Sequence, residues 1–158
     1  MLKKTILFSI ICLSFLGQTT YAEENENIPI NITSDRLISD NKSKLITFVG
    51  NVKATRDDMV INSDRIEIKR DDSGKGIDLI VARGNVKVNM NEKYATGEKA
   101  VYYEKEKKIV LTGNPRSWEG KNVIVGNEMI FFIDEDKVVV KQSKKKQVNV
   151  IFYPKEMK

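Results

Sequence analysis

From Ile28 to Phe152 the apolar side chains recur at every second position, with many β-branched residues among them. Successive side chains of an extended strand point to opposite faces, so this period of two reads as strand; few stretches meet the i, i+3, i+4, i+7 spacing of a helix. The chain is expected to be all-β. Charged segments rich in turn formers interrupt the pattern at 40–43, 56–58, 71–76, 91–93, 104–107, 119–122 and 134–136, and each predicts a turn.

The pattern repeats. Phe48-Val49-Gly50-Asn51-Val52 returns as Ala82-Arg83-Gly84-Asn85-Val86 and as Leu111-Thr112-Gly113-Asn114-Pro115. Thirteen residues after each of these glycines stands a second signal, Ser63-Asp64-Arg65-Ile66, Gly97-Glu98-Lys99-Ala100 and Gly126-Asn127-Glu128-Met129, with Ser34-Asp35-Arg36-Leu37 starting the series. From second signal to next glycine is 16 residues, or 21 in the unit that contains the polar turn at 71–76. Such periods mark stacked supersecondary units, none of which buries its apolar face alone.

Relative to each first-signal glycine, positions −4, −2 and +2 are Ile46, Phe48 and Val52; Ile80, Ala82 and Val86; Ile109, Leu111 and Pro115. All are apolar and share one face. Relative to the second signal, position −2 is Ile61, Ala95 or Ile124, while +3 is Leu37, Ile66, Ala100 or Met129. An even offset has become odd, so each unit needs a bulge or corner there to keep its apolar side chains together, and Gly97 and Gly126 are natural residues for the bend. Long strands bent at corresponding corners and stacked in register make a folded, V-shaped antiparallel stack with two facing halves. Its terminal strands are expected at 28–32 and 148–152, where Ile30, Ile32, Val148 and Val150 would line unpaired edges suited to head-to-tail self-association.

The first 22 residues add a targeting segment. Lys3 and Lys4 precede an apolar run over 6–16, and Thr20-Tyr21-Ala22 offers small residues at the positions a signal peptidase reads. The run is well short of the ~20 residues of a spanning helix. Residues 1–22 are expected to be a cleaved signal peptide, 23–29 a flexible segment and 30–153 one β domain. The single cysteine, Cys12, lies inside the signal, and the rest of the chain carries a net charge of +3. That balance gives no case for nucleic acid.

Candidate chemistry is sparse. The chain has no histidine, and no cysteine after the signal, which excludes Ser-His-Asp and Cys-His nucleophile systems and the usual zinc sets. Each Gly-Asn pair is followed by a strand rather than by a helix N-terminus, so none reads as a phosphate loop. No catalytic residue, metal site or cofactor is indicated. Trp118 is read as a rim or core residue, or one at the mouth of an apolar cleft.

Taken together in this order and spacing, the two signals resemble those of the LptA/OstA-like family of lipopolysaccharide transport proteins, over residues 30–140. The Lys-rich end after Lys141 carries no motif of that family. The resemblance implies an OstA-like β-jellyroll whose interior holds the acyl chains of lipopolysaccharide. It also implies a periplasmic bridge built end to end between inner-membrane and outer-membrane Lpt components of similar fold. The face analysis then nominates Ile46, Phe48, Val52, Ile61, Ile66, Ile80, Val86, Ile109, Leu111, Met129 and Phe131 as the lipid-binding groove. Competing expectations are a structural periplasmic filament whose core closes on its own side chains, the inner-membrane-anchored component of the same pathway, and, last, an envelope enzyme.

Overall fold

The structure is a computed structural model and describes residues 28–142 and 147–154; the expected signal peptide and most of the expected flexible segment lie outside the described residues. Twelve antiparallel strands form one sheet: β1 (Asn31–Thr33), β2 (Arg36–Asp40), β3 (Leu45–Arg56), β4 (Met59–Arg70), β5 (Ile77–Met90), β6 (Lys93–Tyr103), β7 (Lys108–Thr112), β8 (Arg116–Glu119), β9 (Asn122–Val125), β10 (Glu128–Phe132), β11 (Lys137–Lys141) and β12 (Asn149–Ile151). Consecutive long strands β3 to β6 pair as hairpins through the expected charged turns.

Every long strand changes register at its middle. β3 and β4 pair from Leu45↔Lys69 to Val49↔Arg65 and resume at Val52↔Ser63, so Gly50 and Asn51 together face Asp64. The same irregularity separates Arg83 from Val86 opposite Lys99 and Gly97. At the two ends the corner breaks the strands outright: β1 and β2 both pair with β3, while β8 and β7 both pair with β6. The sheet therefore has two arms meeting at a line of bulges. The first arm holds β2, the first half of β3, β7, β10 and β11; the second holds β1, the second half of β3, β8, β9 and β12.

The expected phase flip is present, but the residue that causes it is elsewhere. Gly50-Asn51, Gly84-Asn85 and Gly113-Asn114 all take left-handed backbone conformations, with φ between 46° and 83°, whereas Gly97 and Gly126 do not. The extra residue is thus in the Gly-Asn signal, whose dipeptide suits consecutive positive φ. A side chain at Gly84 would also collide with Asp64, whose Oδ2 would lie 2.3 Å from the added carbon. Gly97 and Gly126 serve close approach instead: a Cβ would meet the Thr112 carbonyl at 2.8 Å or the Val140 Cγ1 at 2.4 Å. At the vertex a bulky residue faces a small one, Val52 opposite Ser63 and Val86 opposite Gly97, and this alternation lets the two arms close.

The register carries apolar rows straight across the sheet. One inner row of the first arm runs Phe48, Ile66, Ala82, Ala100, Leu111, Met129, and the next runs Ile46, Ile68, Ile80, Tyr102, Ile109, Phe131. The second arm answers with Ile32, Ala54, Ile61, Val88, Ala95, Ser117, Ile124, Val150. Ile66, Leu111 and Met129 have no exposed surface. The ends differ from a single terminal strand on each side: β1 and β2 form one end, β11 and β12 the other, and β12 joins the second arm through β9.

Candidate functional site

The inner faces of the two arms enclose a trough, and three cavities lie along it, each walled from both sides. The cavity near β1 has a volume of about 410 Å³ and is lined by Ile32, Ile46, Phe48, Ile68, Arg70 and Ile77 among others. The middle one, of about 40 Å³, lies between Ile32, Ala54 and Ile61 on one arm and Ile66, Ile80, Ala82, Ala100, Tyr102 and Ile109 on the other. The third, of about 240 Å³, lies between Val88, Ala95, Trp118 and Ile124 and the facing Ile109, Leu111, Phe131 and Val138. Walls of this kind offer dispersion contacts and very few hydrogen-bond partners.

All eleven nominated groove residues face this trough or its vertex, either in the core cluster or packed against it. Eight line a cavity: Ile46, Phe48, Ile61, Ile66, Ile80, Ile109, Leu111 and Phe131. Val52, Val86 and Met129 line none of the three and are buried at or beside the vertex. The trough also takes in Ile32, expected at an edge, Ile124, placed on the inner offset but not in the groove, and Ala54, Tyr102 and Val138. The period-two pattern includes them; what was missing was the register that brings the second arm over the first.

Trp118 lines the third cavity, half-buried, with its ring stacked on Tyr94 at a centroid distance of 5.6 Å. Four edge residues were nominated: Ile30 and Ile32 are half-buried, while Val148 and Val150 are exposed. The other strands at the ends carry exposed apolar side chains too, Leu37 and Ile38 on β2 and Val138 on β11, and Phe152 beyond β12 is 68% exposed.

Charge is confined to the rim. Lys93 Nζ donates a hydrogen bond to Asp136 Oδ1 at 2.8 Å; this bond raises the Lys93 pKa, with the charge of Glu119 adding to it, and lowers that of Asp136. On the middle cavity, Arg56 Nη1 stands 4.0 Å from Glu104 Oε2. Burial pushes the Glu104 carboxyl up, but hydrogen bonds from Lys107 and Tyr102 and the charges of Lys107 and Arg56 outweigh it, so the group ends below its ordinary value. Tyr102 is pushed up, first by burial and then by Glu104. Among the described residues no three His, Cys, Asp or Glu side chains are grouped as a metal site, and no helix is long and apolar enough to cross a membrane.

Comparison with known proteins gives this trough a family. The lipopolysaccharide export system protein LptA of Escherichia coli (strain K12) is 28% identical over 135 residues, which cover 82% of this chain and 73% of that protein, and the LptA of Shigella flexneri matches to the same extent. The crystal structure of LptH, described as the LptA homologous periplasmic component of the lipopolysaccharide transport device from Pseudomonas aeruginosa, has the same fold. Its TM-score is 0.72 at 15% identity, covering 80% of this chain and 96% of LptH. The family model for the LptA/(LptD N-terminal domain) LPS transport protein spans residues 31–137, so the chain belongs to that family of lipopolysaccharide transport proteins.

Proposed function

We propose that the protein is a periplasmic carrier that holds the acyl chains of lipopolysaccharide in its trough and passes them toward the outer membrane. The observation that carries this reading is the run of apolar rows on two facing arms, broken by a single serine, Ser117, with space left between them. A core built only for stability would fill that space, because each unfilled methyl-sized void costs ~1 kcal/mol. This favours the carrier over a filament with a closed core. The work asked of the protein is solvation: each methylene kept from water is worth ~0.8 kcal/mol, so an apolar path lowers the barrier to crossing an aqueous space. No catalytic step is part of this role, and the energy for directional movement comes from outside the chain. Export by residues 1–22 places it in the periplasm.

The same reading extends to assembly. The edges at β1 and β2 and at β11 and β12 present unpaired backbone and exposed apolar side chains, which suits strand addition to Lpt components of similar fold or to a second copy. Photo-crosslinking residues at Phe48 and Phe131 should capture lipopolysaccharide in the envelope, whereas residues at the exposed Lys53 and Lys87 should not; equal capture at both sets defeats the assignment. For assembly, sedimentation of the wild type should show concentration-dependent oligomers that Val150→Pro suppresses, since proline removes a backbone donor from the edge.

A further inference from the structure

Among the described residues, two ion pairs join one arm to the other, Arg56 to Glu104 and Lys93 to Asp136, and both stand on the rim of the trough. We propose that Arg56 and Lys93 are the headgroup-binding cations of this trough: each takes a phosphate of the bound lipid in place of the carboxylate that holds it across the mouth. The inference rests on the lipid-carrier reading and adds to it a polar recognition site.

Register supplies the first argument. Arg56 pairs with Met59, Met59 with Met90, and Met90 with Lys93. The rung at the tip of the second arm is therefore cation, methionine, methionine, cation. Three strand spacings separate the two charges, roughly 14 Å. Both methionines are half-buried, and they line the middle and third cavities respectively. Acyl chains inserted past Met59 and Met90 leave their headgroup at the level of Arg56 and Lys93. The rung therefore fits an amphiphile whose headgroup carries two separated anions.

The second argument is that the carboxylates hold these cations weakly. Glu104 already receives Lys107 and Tyr102, and Arg56 stands at 4.0 Å from it, at the limit of an ion pair. Asp136 is the only carboxylate within ion-pair distance of Lys93 among the described residues, but both side chains are largely solvated. The Lys93–Asp136 pair is solvent-exposed, and such pairs contribute little; the Arg56–Glu104 pair is partly buried but long, so exchanging either partner costs little. A phosphate offers more charge and more acceptor oxygens than a carboxylate, and the planar fork of an arginine matches it. Loading the trough and releasing the cross-arm pairs then become one exchange.

The test uses the full chain, a fluorescent fatty-acyl probe in the trough, and two competitors with identical acyl chains, diphosphoryl lipid A and its dephosphorylated counterpart. Lys93→Gln and Arg56→Gln should each weaken the diphosphoryl competitor about two- to five-fold, the range of exposed charge pairs, and leave the dephosphorylated one unchanged. Lys93→Arg should retain the preference. Asp136→Asn should move the diphosphoryl competitor the opposite way, toward tighter binding, because it removes the rival carboxylate. Should Lys93→Gln and Asp136→Asn shift binding in the same direction, or should both competitors respond alike, the pairs merely hold the arms together and the proposal is overturned. Failure of the wild type to bind either amphiphile would instead defeat the carrier reading itself.

Discussion

Replacing Gly84 by alanine tests the corner on which the two-armed sheet depends. Gly84 has φ of 76°, and an added Cβ would stand 2.3 Å from Asp64 Oδ2 and 2.9 Å from its Cγ. Forcing a side chain into the left-handed region costs about 1–2 kcal/mol. Moving the Asp64 carboxylate also breaks its 2.9 Å hydrogen bond from Asn85 Nδ2, a further ~1 kcal/mol. The expected loss is about 2–3 kcal/mol, measured by urea unfolding with the slope unchanged, and a Tm lowered by about 4 °C per kcal/mol. The part that comes from Asp64 is separable. In an Asp64→Ala background the hydrogen bond is already absent, so Gly84→Ala should cost ~1 kcal/mol less there, a coupling well above the usual scatter for independent sites. Strict additivity of the two changes would refute the assignment of Asp64 as the group that excludes a side chain. A loss below ~0.5 kcal/mol for Gly84→Ala alone would refute the strained corner altogether.

Leu111→Ala empties a side chain with no exposed surface at the centre of the inner rows, and should lower stability by about 2–5 kcal/mol in denaturant titration. Gly126→Ala places a carbon 2.4 Å from Val140 Cγ1 and should loosen β11 selectively, seen as faster amide exchange over 137–141 than over β4 and β5. The Lys93–Asp136 pair has a defined pH window. The lowered Asp136 pKa makes its contribution present above the ordinary aspartate value of 3.8 and lost as pH falls through the folded-state value, while the raised Lys93 pKa keeps its side of the pair charged below 10.5 and loses it only as pH rises through the folded-state value. An NMR titration of the Asp136 carboxyl carbon should therefore show a midpoint below 3.8 that moves up in Lys93→Gln.

The strands, their turns and the inward face were legible because a sheet with one buried face writes period two into its sequence. The two repeated signals made the corner legible as well, since an even offset turning odd requires one unmatched residue. Which strand carries it was not legible: a phase change seen on β4 at Ser63 to Ile66 is equally satisfied by an extra residue on its partner, and the left-handed Gly50 and Asn51 show that the partner has it. Alternation also misleads on the first arm. The row of Val81, Val101, Val110, Ile130 and Val139 lies one residue out of phase with the inner rows, so runs such as Leu79–Ala82 and Val138–Val140 are apolar on both faces. The cross-arm pairs escaped sequence reasoning because their members are 48 and 43 positions apart and sit in turns that read as ordinary solvated charge.

The cavities along the trough are unequal, and that inequality bears on how a lipid would pass. The middle cavity, at about 40 Å³, is far smaller than those on either side of it, at about 410 and 240 Å³. It is the narrowest passage an alkyl chain meets along the trough. Its walls include Ala54, Ala82 and Ala100, whose short side chains make the narrowing a matter of how closely the arms approach rather than of a bulky plug. Parting the arms would expose the aliphatic rows, at ~25 cal/mol per Å², but an incoming acyl chain covers the same surface, so the two terms offset and the net cost of transit is small. The vertex is suited to such a movement, since its backbone there is already bulged and its ladder already interrupted between Val49 and Val52 and between Arg83 and Val86. An acyl chain lying between the arms would be covered by apolar side chains from both, and the two ion pairs that join the arms stand on the rim of that same trough.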